Sequence, residues 1–432
     1  MRIPRSLDPA EVDAVDLAAV DLADPRTYSH GDPHPIWARL RRDDPVRWHP
    51  VGDDLGFWSV TTLDHCSRVL REHENFTSER GTLLSLLGKD DPAGGRQMAA
   101  TDPPRHTRMR GPLQRALTIK QVERSADHIR AEVRALLAPA ASGEPFDFAA
   151  AVTRLPMAVT GMLMGLPPAD WPRLTLLTLK SIAPDDPEFS EGDEPALALR
   201  RAHRELFAYF SDVVAERQRH PGGDDLISLL LGMEVDGREM SAGEVVANCY
   251  SLLLGANVTT PYVPAAALHA LIGTPALAGV LSAGPAPDAV AAIMEESLRW
   301  ASPANHFMRY AVRDVDLGGT RVRSGDAVVT WLGSANRDEA VFRDPFTFDP
   351  SRKPNRHIAF GAGAHYCVGH TVARVTLRAL FEEIIATFAD LEPAGEAEHL
   401  SSNFVAGIKH LPVVAKVRSA RPVSPPGQRE RT

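Results

Sequence analysis

Cysteine is scarce in this chain of 432 residues, which contains only Cys66, Cys249 and Cys367. An odd number of widely spaced cysteines provides neither a disulfide framework nor paired-cysteine metal spacing. The sequence therefore excludes the class of small, disulfide-stapled secreted domains. We expect a reducing, cytoplasmic compartment.

A basic surplus and long apolar runs are lacking as well. The formal net charge is −9 and no long Lys/Arg run offsets it, which excludes general nucleic-acid binding. Residues 1–24 contain no apolar span, so we expect neither a membrane anchor nor a transit peptide there. We predict a flexible segment over 1–24, one domain over 25–416 and a disordered tail, rich in Pro, Ser and Arg, over 417–432.

Helical periodicity, by contrast, is abundant, and hydrophobic residues make up 44% of the chain. Apolar residues with a 3.6-residue period predict helices over 125–137, 196–219, 243–272, 288–300 and 368–388. Alternating apolar residues predict a short strand over 57–61, and turn-forming glycines predict a hairpin over 314–329. The predicted fold class is therefore mainly α with small β sheets.

One cysteine lies in the glycine-rich segment 360–369, FGAGAHYCVG. The glycines let the backbone turn tightly and leave N–H groups free to point at the sulfur of Cys367. The helix predicted from residue 368 places a positive helix terminus beside the same sulfur. These features favour a metal-bound thiolate. A buried free cysteine and a zinc or iron–sulfur site with His365 and His370 are the alternatives, although the latter lacks a second cysteine pair.

The spacing Phe-x-x-Gly-x-His-x-Cys-x-Gly, followed by Ala373 and Arg374, resembles the haem-binding signature of the cytochrome P-450 monooxygenases, in particular their soluble bacterial members. The resemblance spans residues 25–416, which would form a single catalytic domain. It implies haem b, held between a long distal helix and the cysteine-loop helix, with the Cys367 thiolate as iron ligand and O2 as co-substrate. The implied cofactor-binding residues are His106, Arg110, Ala256, Arg309, Phe360, Gly361, His365, Cys367 and Gly369.

Two further patterns support the resemblance. His106 and Arg110 are four residues apart on a predicted helix and therefore share one face, as in the family's His-x-x-x-Arg clamp for the haem propionates. Glu296 and Arg299 are three apart, and with Arg352 they match the family's Glu-x-x-Arg motif and its later arginine. By resemblance, the role of these last three residues is a buried structural network.

The distal helix should open near residues 255–261. Pro261 offers no N–H to the carbonyl of Asn257, and Gly255 weakens the preceding turn. Thr259 matches the family's oxygen-binding threonine, and Asn257 is a second catalytic candidate. The family usually has an Asp or Glu at the preceding position, where this chain has Val258, which cannot relay a proton.

The resemblance implies a monooxygenase that hydroxylates, epoxidises or oxidatively couples a medium-to-large, mostly apolar small molecule in secondary metabolism, such as antibiotic biosynthesis. A carrier-protein-bound substrate is one form of this hypothesis. The alternative function is a catalytically weak haem-binding sensor or a substrate-presenting scaffold, which Val258 favours. The expected substrate pocket, with Asn305 and neighbouring His306 as polar anchors, consists of Leu84, Leu87, Leu253, Val258, Asn305, Phe307 and Phe404.

Electrons should come from a ferredoxin and a ferredoxin reductase, because no flavin or iron–sulfur domain is apparent in the chain. Five arginines from segments near the cysteine side of the haem could meet an acidic ferredoxin despite the net negative charge. We predict a docking patch made of Arg105, Arg108, Arg115, Arg356 and Arg378.

Overall fold

The computed structural model describes residues 7–30, 32–52 and 54–418. Helices dominate this part of the chain, which confirms the mainly α fold class. The α-helices are α1 (Pro9–Asp13), α2 (Arg26–Ser29), α3 (Pro33–Asp43), α4 (Leu63–Arg71), α5 (Arg105–Ala116), α6 (Ile119–Val122), α7 (Ala126–Leu137), α8 (Phe148–Thr153), α9 (Leu155–Leu163), α10 (Trp171–Ile182), α11 (Pro187–Ser190), α12 (Pro195–Arg219), α13 (Leu226–Leu231), α14 (Ala242–Asn257), α15 (Tyr262–Leu271), α16 (Pro275–Ser282), α17 (Pro287–Ala301), α18 (Leu332–Ala335) and α19 (His370–Thr387).

The strands are short and lie in small sheets. They are β1 (Val46–Pro50), β2 (Gly56–Val60), β3 (Phe76–Thr77), β4 (Phe146–Asp147), β5 (Glu234–Val235), β6 (Arg238–Glu239), β7 (His306–Ala311), β8 (Val315–Leu317), β9 (Thr320–Val322), β10 (Ala327–Trp331), β11 (Phe388–Pro393), β12 (Glu398–His399), β13 (Ile408–His410) and β14 (Pro412–Val417). The main sheet has five strands in the order β1-β2-β10-β7-β3, and only β10 and β2 run parallel.

The predicted hairpin over 314–329 is too long. Only β8 and β9 pair with each other, around a turn at Gly318 and Gly319, where both φ angles are positive. β10 leaves the hairpin and pairs with β2 and β7 in the main sheet. All five residues of β10 are buried, and this central position in a sheet is what its apolar run AVVTW favours.

The predicted opening of the distal helix is confirmed. A capping box between Ser241 and Glu244 starts α14, which ends at Asn257. Because Pro261 cannot donate to the carbonyl of Asn257, residues 258–261 form turns, and α15 begins at Tyr262. The single helix expected over 243–272 is therefore two helices.

The core lies on both sides of these two helices. One apolar cluster joins α7, α8, α9, α15, α17 and α19, and a second joins α5, α10, α12, α13 and α14. Val368 and Val372, at the start of α19, pack against the second cluster. The cysteine loop and α14 both contribute residues to the lining of one cavity.

The described N-terminal residues pack against the rest of the protein. Residues 7–24, inside the segment predicted to be flexible, contact the main fold, because Val12 and Leu22 are buried and Asp13 pairs with Arg42 of α3. Of the predicted tail, residues 419–432 lie outside the described residues. Among the described helices, none is singly long and apolar enough to span a membrane; 242–271 with 275–282 meet that requirement only as a pair bent by 119°.

Candidate active site

The cysteine loop takes its shape from glycines in the left-handed region. Gly361 has φ 74° and Gly363 has φ 71°, and a Cβ on Gly363 would lie 2.6 Å from the carbonyl oxygen of Leu70. Only glycine fits such a position without strain. The Cys367 N–H donates to the carbonyl of Phe360 at 2.9 Å, which closes the loop before α19 begins at His370.

The thiol of Cys367 faces a cavity between α14 and α19. Burial raises its pKa, although the backbone at Gly369 and the guanidiniums of Arg110 and Arg374 act in the opposite direction. Coordination to a metal cation would favour the thiolate.

An ion pair that was not predicted from the sequence packs against the cysteine loop. Arg374 makes a bidentate contact with Glu295 at 2.6 and 3.1 Å, and its guanidinium lies 4.5 Å from the centre of the Phe360 ring. Burial raises the pKa of Glu295, but hydrogen bonds with His357 and Arg374 outweigh it and bring the pKa to about 2. The Ala373-Arg374 pair that follows the motif was the available signal, but Glu295 lies seventy-nine residues away in sequence.

One wall of the cavity is cationic. Arg110 and Arg309 are both buried, line the cavity and have no ion pair with any described carboxylate, and the only described hydrogen bond of Arg309 goes to the carbonyl of Met308. The buried Nδ1 of His106 has no partner among the described residues. The His365 ring lies 4.3 Å from the His106 ring, and its Nε2 is 3.2 Å from the Ser78 hydroxyl.

This arrangement fits a haem. Two buried guanidiniums without a carboxylate partner are costly unless a ligand brings anions, and haem carries two propionates. Burial lowers the pKa of His106 to about 3, with smaller contributions from His365 and Arg110, so its ring is neutral and can donate one N–H to a propionate. The zinc alternative is not favoured, because His365 points toward Ser78 whereas the Nδ1 of His370 accepts from Arg374.

The opposite wall is the broken end of α14. Ser251, Gly255 and Thr259 are four residues apart and line the cavity together, with Ala256 and Val258 beside them. The Thr259 hydroxyl lies 3.4 Å from the carbonyl oxygen of Gly255.

Asn257, the second catalytic candidate, does not line the cavity. Its side-chain N–H donates to the carbonyl of Leu253 at 2.8 Å, and the residue is buried on the other side of the helix. It lies two residues from both Gly255 and Thr259, and a separation of two positions in a helix turns a side chain away from the shared face. The structure therefore does not place Asn257 where it could contact a ligand in this cavity.

The predicted substrate pocket is only partly correct. Val258, Phe307 and Phe404 line the cavity, and Phe360, Gly361 and Gly369 line it near Cys367. Additional lining residues come from α9, which the sequence analysis missed because its uniformly apolar pattern indicates only burial; they are Pro156, Val159, Thr160 and Leu163.

Four predicted pocket residues lie elsewhere. Leu84 and Leu87 pack in a cluster around Trp37 and Trp331 that includes other residues of the main sheet. Leu253 packs in the cluster of α12 and α14, and Asn305 donates its side-chain N–H to the carbonyl of Asn403. Residues 174–206 supply none of the residues that line this cavity.

The three residues of the proposed structural network are in contact. Arg299 donates to both carboxylate oxygens of Glu296 at 2.8 and 2.7 Å, and Arg352 lies 3.4 Å from the same carboxylate. Glu296 and Arg299 are fully buried. Arg299 also donates to the carbonyls of Asn336 and Pro345, so the network ties α17 to the segment before the cysteine loop.

The five arginines of the predicted docking patch fall into two groups. Arg105 pairs with Asp236 and Glu244, and Arg108 pairs with Asp236. Glu244 also pairs with Arg238, so the two carboxylates offset only part of the charge of these arginines, which the sequence did not reveal. The structure describes no carboxylate paired with any of the other three, which are Arg115, Arg356 and Arg378.

Comparison with known proteins identifies the same family as the sequence motif. A family model described as Cytochrome P450 matches residues 289–412. Cytochrome P450 NovI of Streptomyces niveus is 34% identical over 403 residues, 92% of this chain and 97% of the relative. Linalool 8-monooxygenase of Pseudomonas putida is 32% identical over 404 residues, 91% of this chain and 98% of the relative.

The fold agrees as well. The crystal structure of P450 OxyD, described as involved in the biosynthesis of vancomycin-type antibiotics, superposes with a TM-score of 0.82 at 35% identity and covers 93% of this chain and 100% of that chain. A helix-rich fold, a cysteine loop and relatives that match nearly end to end lead to one conclusion. This chain belongs to the cytochrome P450 family and is a cytochrome P450 monooxygenase.

Proposed function

We propose that this enzyme oxidises a medium-to-large, mostly apolar small molecule of secondary metabolism, using O2 and a haem held by Cys367. The observation that carries the proposal is one cavity that joins the Cys367 thiol, two buried guanidiniums without carboxylate partners and a largely apolar distal wall. When bound, the haem supplies the oxidising chemistry, which a thiolate ligand directs toward O–O cleavage.

The protein's own groups would hold the haem and shape the reaction space. Arg110, Arg309, His106 and His365 would bind the propionates through charge-assisted hydrogen bonds. Phe307, Phe404 and Val258 would orient an apolar substrate and exclude water. Thr259 would hold a proton-donating water at its hydroxyl on the distal side.

Proton delivery separates this chain from the usual family pattern. Val258 is buried, lines the cavity and has no proton to give, so protons would arrive through the Thr259 hydroxyl, ordered water or a hydroxyl of the substrate. Hydroxylation, epoxidation and oxidative coupling are the reaction types that this arrangement serves. The relationship to OxyD supports a role in antibiotic biosynthesis.

Electrons would come from a ferredoxin and its reductase. Arg115, Arg356 and Arg378 keep positive charge available near the cysteine side, because the structure pairs none of them with a described carboxylate. A complementary acidic donor would be steered there by charge.

A carbon monoxide difference spectrum of the reduced protein tests the haem-thiolate assignment. We expect the red-shifted band of a thiolate-ligated haem in the wild type and its loss in Cys367→Ser, because serine supplies no thiolate. Cys249→Ser is the matched control, since Cys249 is a buried cysteine of α14 outside the cavity. A red-shifted band in Cys367→Ser would contradict the assignment.

Titration of the oxidised protein with natural-product intermediates, free and carrier-bound, then tests the substrate class through the high-spin shift. Product formation with NADPH, a ferredoxin and its reductase separates an enzyme from a sensor or scaffold. A correct spectrum with no turnover of any compound that shifts the spin state would favour the sensor or scaffold.

A further inference from the structure

His306 is the first residue of strand β7 and is fully buried beside the cavity. Its ring makes edge-on contacts with Trp331 at 5.3 Å and with Phe404 at 5.6 Å between ring centres. From the sequence, His306 is expected to be a polar anchor for substrate. The structure instead directs both of its nitrogens into the protein.

Each ring nitrogen bonds to the backbone of a different segment. Nε2 accepts from the Leu84 N–H at 3.1 Å, and Nδ1 lies 3.2 Å from the carbonyl oxygen of Asn403. An amide N–H can only donate, so Nε2 carries no hydrogen and Nδ1 carries the one that it donates to Asn403. Burial lowers the pKa of His306 to about 4, which keeps this tautomer uncharged near neutral pH.

Neither Leu84 nor Asn403 lines the cavity, but each is within two residues of a residue that does. Thr82 lines the cavity two residues before Leu84, and its carbonyl accepts from the Met308 N–H at 2.8 Å. Phe404 lines the cavity immediately after Asn403, and its carbonyl accepts from the Asn305 N–H at 2.8 Å. One imidazole thus connects two segments that are more than three hundred residues apart in sequence and that each carry a cavity-lining residue.

We propose that His306 is a specificity-determining positioning residue, whose imidazole fixes the distance between the segment that carries Thr82 and the segment that carries Phe404 and thereby the shape of the substrate cavity. The inference rests on the proposed function, because it concerns the same cavity. Loss of the bridge leaves the Leu84 N–H and the Asn403 carbonyl buried with one partner fewer, and the walls must move or admit water to satisfy them.

Two azole ligands of different size test this role without knowledge of the natural substrate. Imidazole is small enough to reach a bound haem iron with little contact to the cavity walls, whereas clotrimazole is bulky enough to contact them. The dissociation constant of each is measured by the Soret shift of the oxidised holoenzyme. The variants are His306→Phe, which keeps the ring but not its hydrogen bonds, and His306→Gln, which restores one donor and one acceptor.

His34→Phe is the matched control. His34 is also fully enclosed, with edge-on contacts to Trp37 and Phe346, and neither of its ring nitrogens has a partner among the described residues. It lies outside the cavity. Replacing it therefore repeats the chemical change of His306→Phe without breaking a bridge.

We expect His306→Phe to raise the ratio of the clotrimazole to the imidazole dissociation constant about tenfold, the equivalent of roughly one buried hydrogen bond. His306→Gln should recover most of the loss, and His34→Phe should leave the ratio within about twofold of the wild type. A ratio in His306→Phe that is unchanged or lower would overturn the proposal. Loss of the red-shifted carbon monoxide band in the wild type would instead overturn the haem-thiolate assignment.

Amide hydrogen exchange on the wild-type holoenzyme gives a test that needs no variant. The bridge predicts slow exchange of the Leu84 amide, measured in overlapping peptides across residues 82–87, because its N–H is buried and bonded to His306. Exchange of that amide at the rate of an unprotected peptide would refute the bridge even if His306→Phe failed to fold.

Discussion

At the residue scale, our proposal assigns proton delivery to the Thr259 hydroxyl, next to Val258. The Thr259 hydroxyl faces the cavity beside a valine, in the absence of the acid that the family usually has there. Thr259→Ala removes the hydroxyl that would hold the proton-donating water. We expect the fraction of NADPH electrons that ends in product to fall at least about fivefold and the fraction that ends in peroxide to rise.

Two matched variants control this prediction. Thr259→Ser keeps a hydroxyl and should retain most of the coupling, whereas Thr260→Ala removes a hydroxyl that also lines the cavity and should change the coupling far less. The measurements are product and peroxide yields per NADPH consumed. Equal losses in Thr259→Ala and Thr260→Ala would assign the effect to cavity polarity in general rather than to Thr259.

At the element scale, the Glu296 carboxylate holds α17 against the segment that leads to the cysteine loop. It accepts from both Arg299 and Arg352 and from the Asp349 N–H, in a fully buried position. Glu296→Ala leaves the buried Arg299 without its carboxylate, which costs about 3–5 kcal/mol when one partner of a buried pair is removed. We expect a correspondingly lower free energy of unfolding in urea and poor haem retention.

The control for this change lies on the same helix. Asp288 is an exposed carboxylate in the first turn of α17, and Asp288→Ala should cost less than about 1 kcal/mol. Similar losses in the two variants would show that the buried network contributes no more than a surface charge.

Another prediction concerns the contact between α11, β4 and β13. His410 bonds to Asp147 at 2.5 Å and to Glu188 at 2.9 Å. Burial lowers the pKa of His410, but these two carboxylates outweigh it and raise the pKa above its ordinary value of 6.5. The stabilisation is therefore complete below that value and is lost as the pH rises through the higher folded-state pKa.

The melting temperature tests this linkage. The difference between the wild type and His410→Gln should be larger near pH 6 than near pH 9, and it should correspond to less than about 1 kcal/mol because the pair is partly exposed. Comparing the wild type with the variant at each pH cancels the pH dependence that comes from the other titratable groups, which both proteins share. A difference that is constant with pH, or larger at the higher value, would refute the assignment.

How far the sequence predicts these elements depends on whether the signal is local. The helices α7, α12, α17 and α19 begin and end within two residues of their predicted bounds, because periodicity is a property of each segment. The break after α14 was predicted from Pro261, whose effect is equally local.

The incorrect predictions for Leu84, Leu87 and β10 depend on contacts between distant segments. Leu84 and Leu87 are apolar in a loop near the cavity, but Trp37 and Trp331 cover them, and nothing in the loop sequence indicates this. The position of β10 in the main sheet likewise depends on its pairing with β2 and β7. The bridge formed by His306 could not be predicted from the sequence either, because its two partners are backbone groups of distant segments.

At the scale of the whole molecule, the chain is acidic overall, with a formal net charge of −9, and yet it must receive electrons. The structure distinguishes arginines whose charge is partly offset by ion pairs from those whose charge is not. Arg105 and Arg108 share Asp236, whereas Arg115 and Arg356 are exposed without a described carboxylate partner. Each arginine of the second group adds its full charge to the positive field that an acidic ferredoxin would meet.

We therefore predict that Arg115→Glu and Arg356→Glu each slow reduction by ferredoxin at least about tenfold at low salt, because each change alters the local charge by two units. The loss should shrink as ionic strength rises, since salt screens the interaction. Stopped-flow reduction under carbon monoxide measures the rate, and reduction by dithionite, which needs no docking surface, should be unchanged. Arg173→Glu on α10 makes the same charge change on an arginine already paired with Glu205 and far from the cysteine loop in sequence. Equal slowing in that control would mean that net charge, and not this surface, governs the encounter.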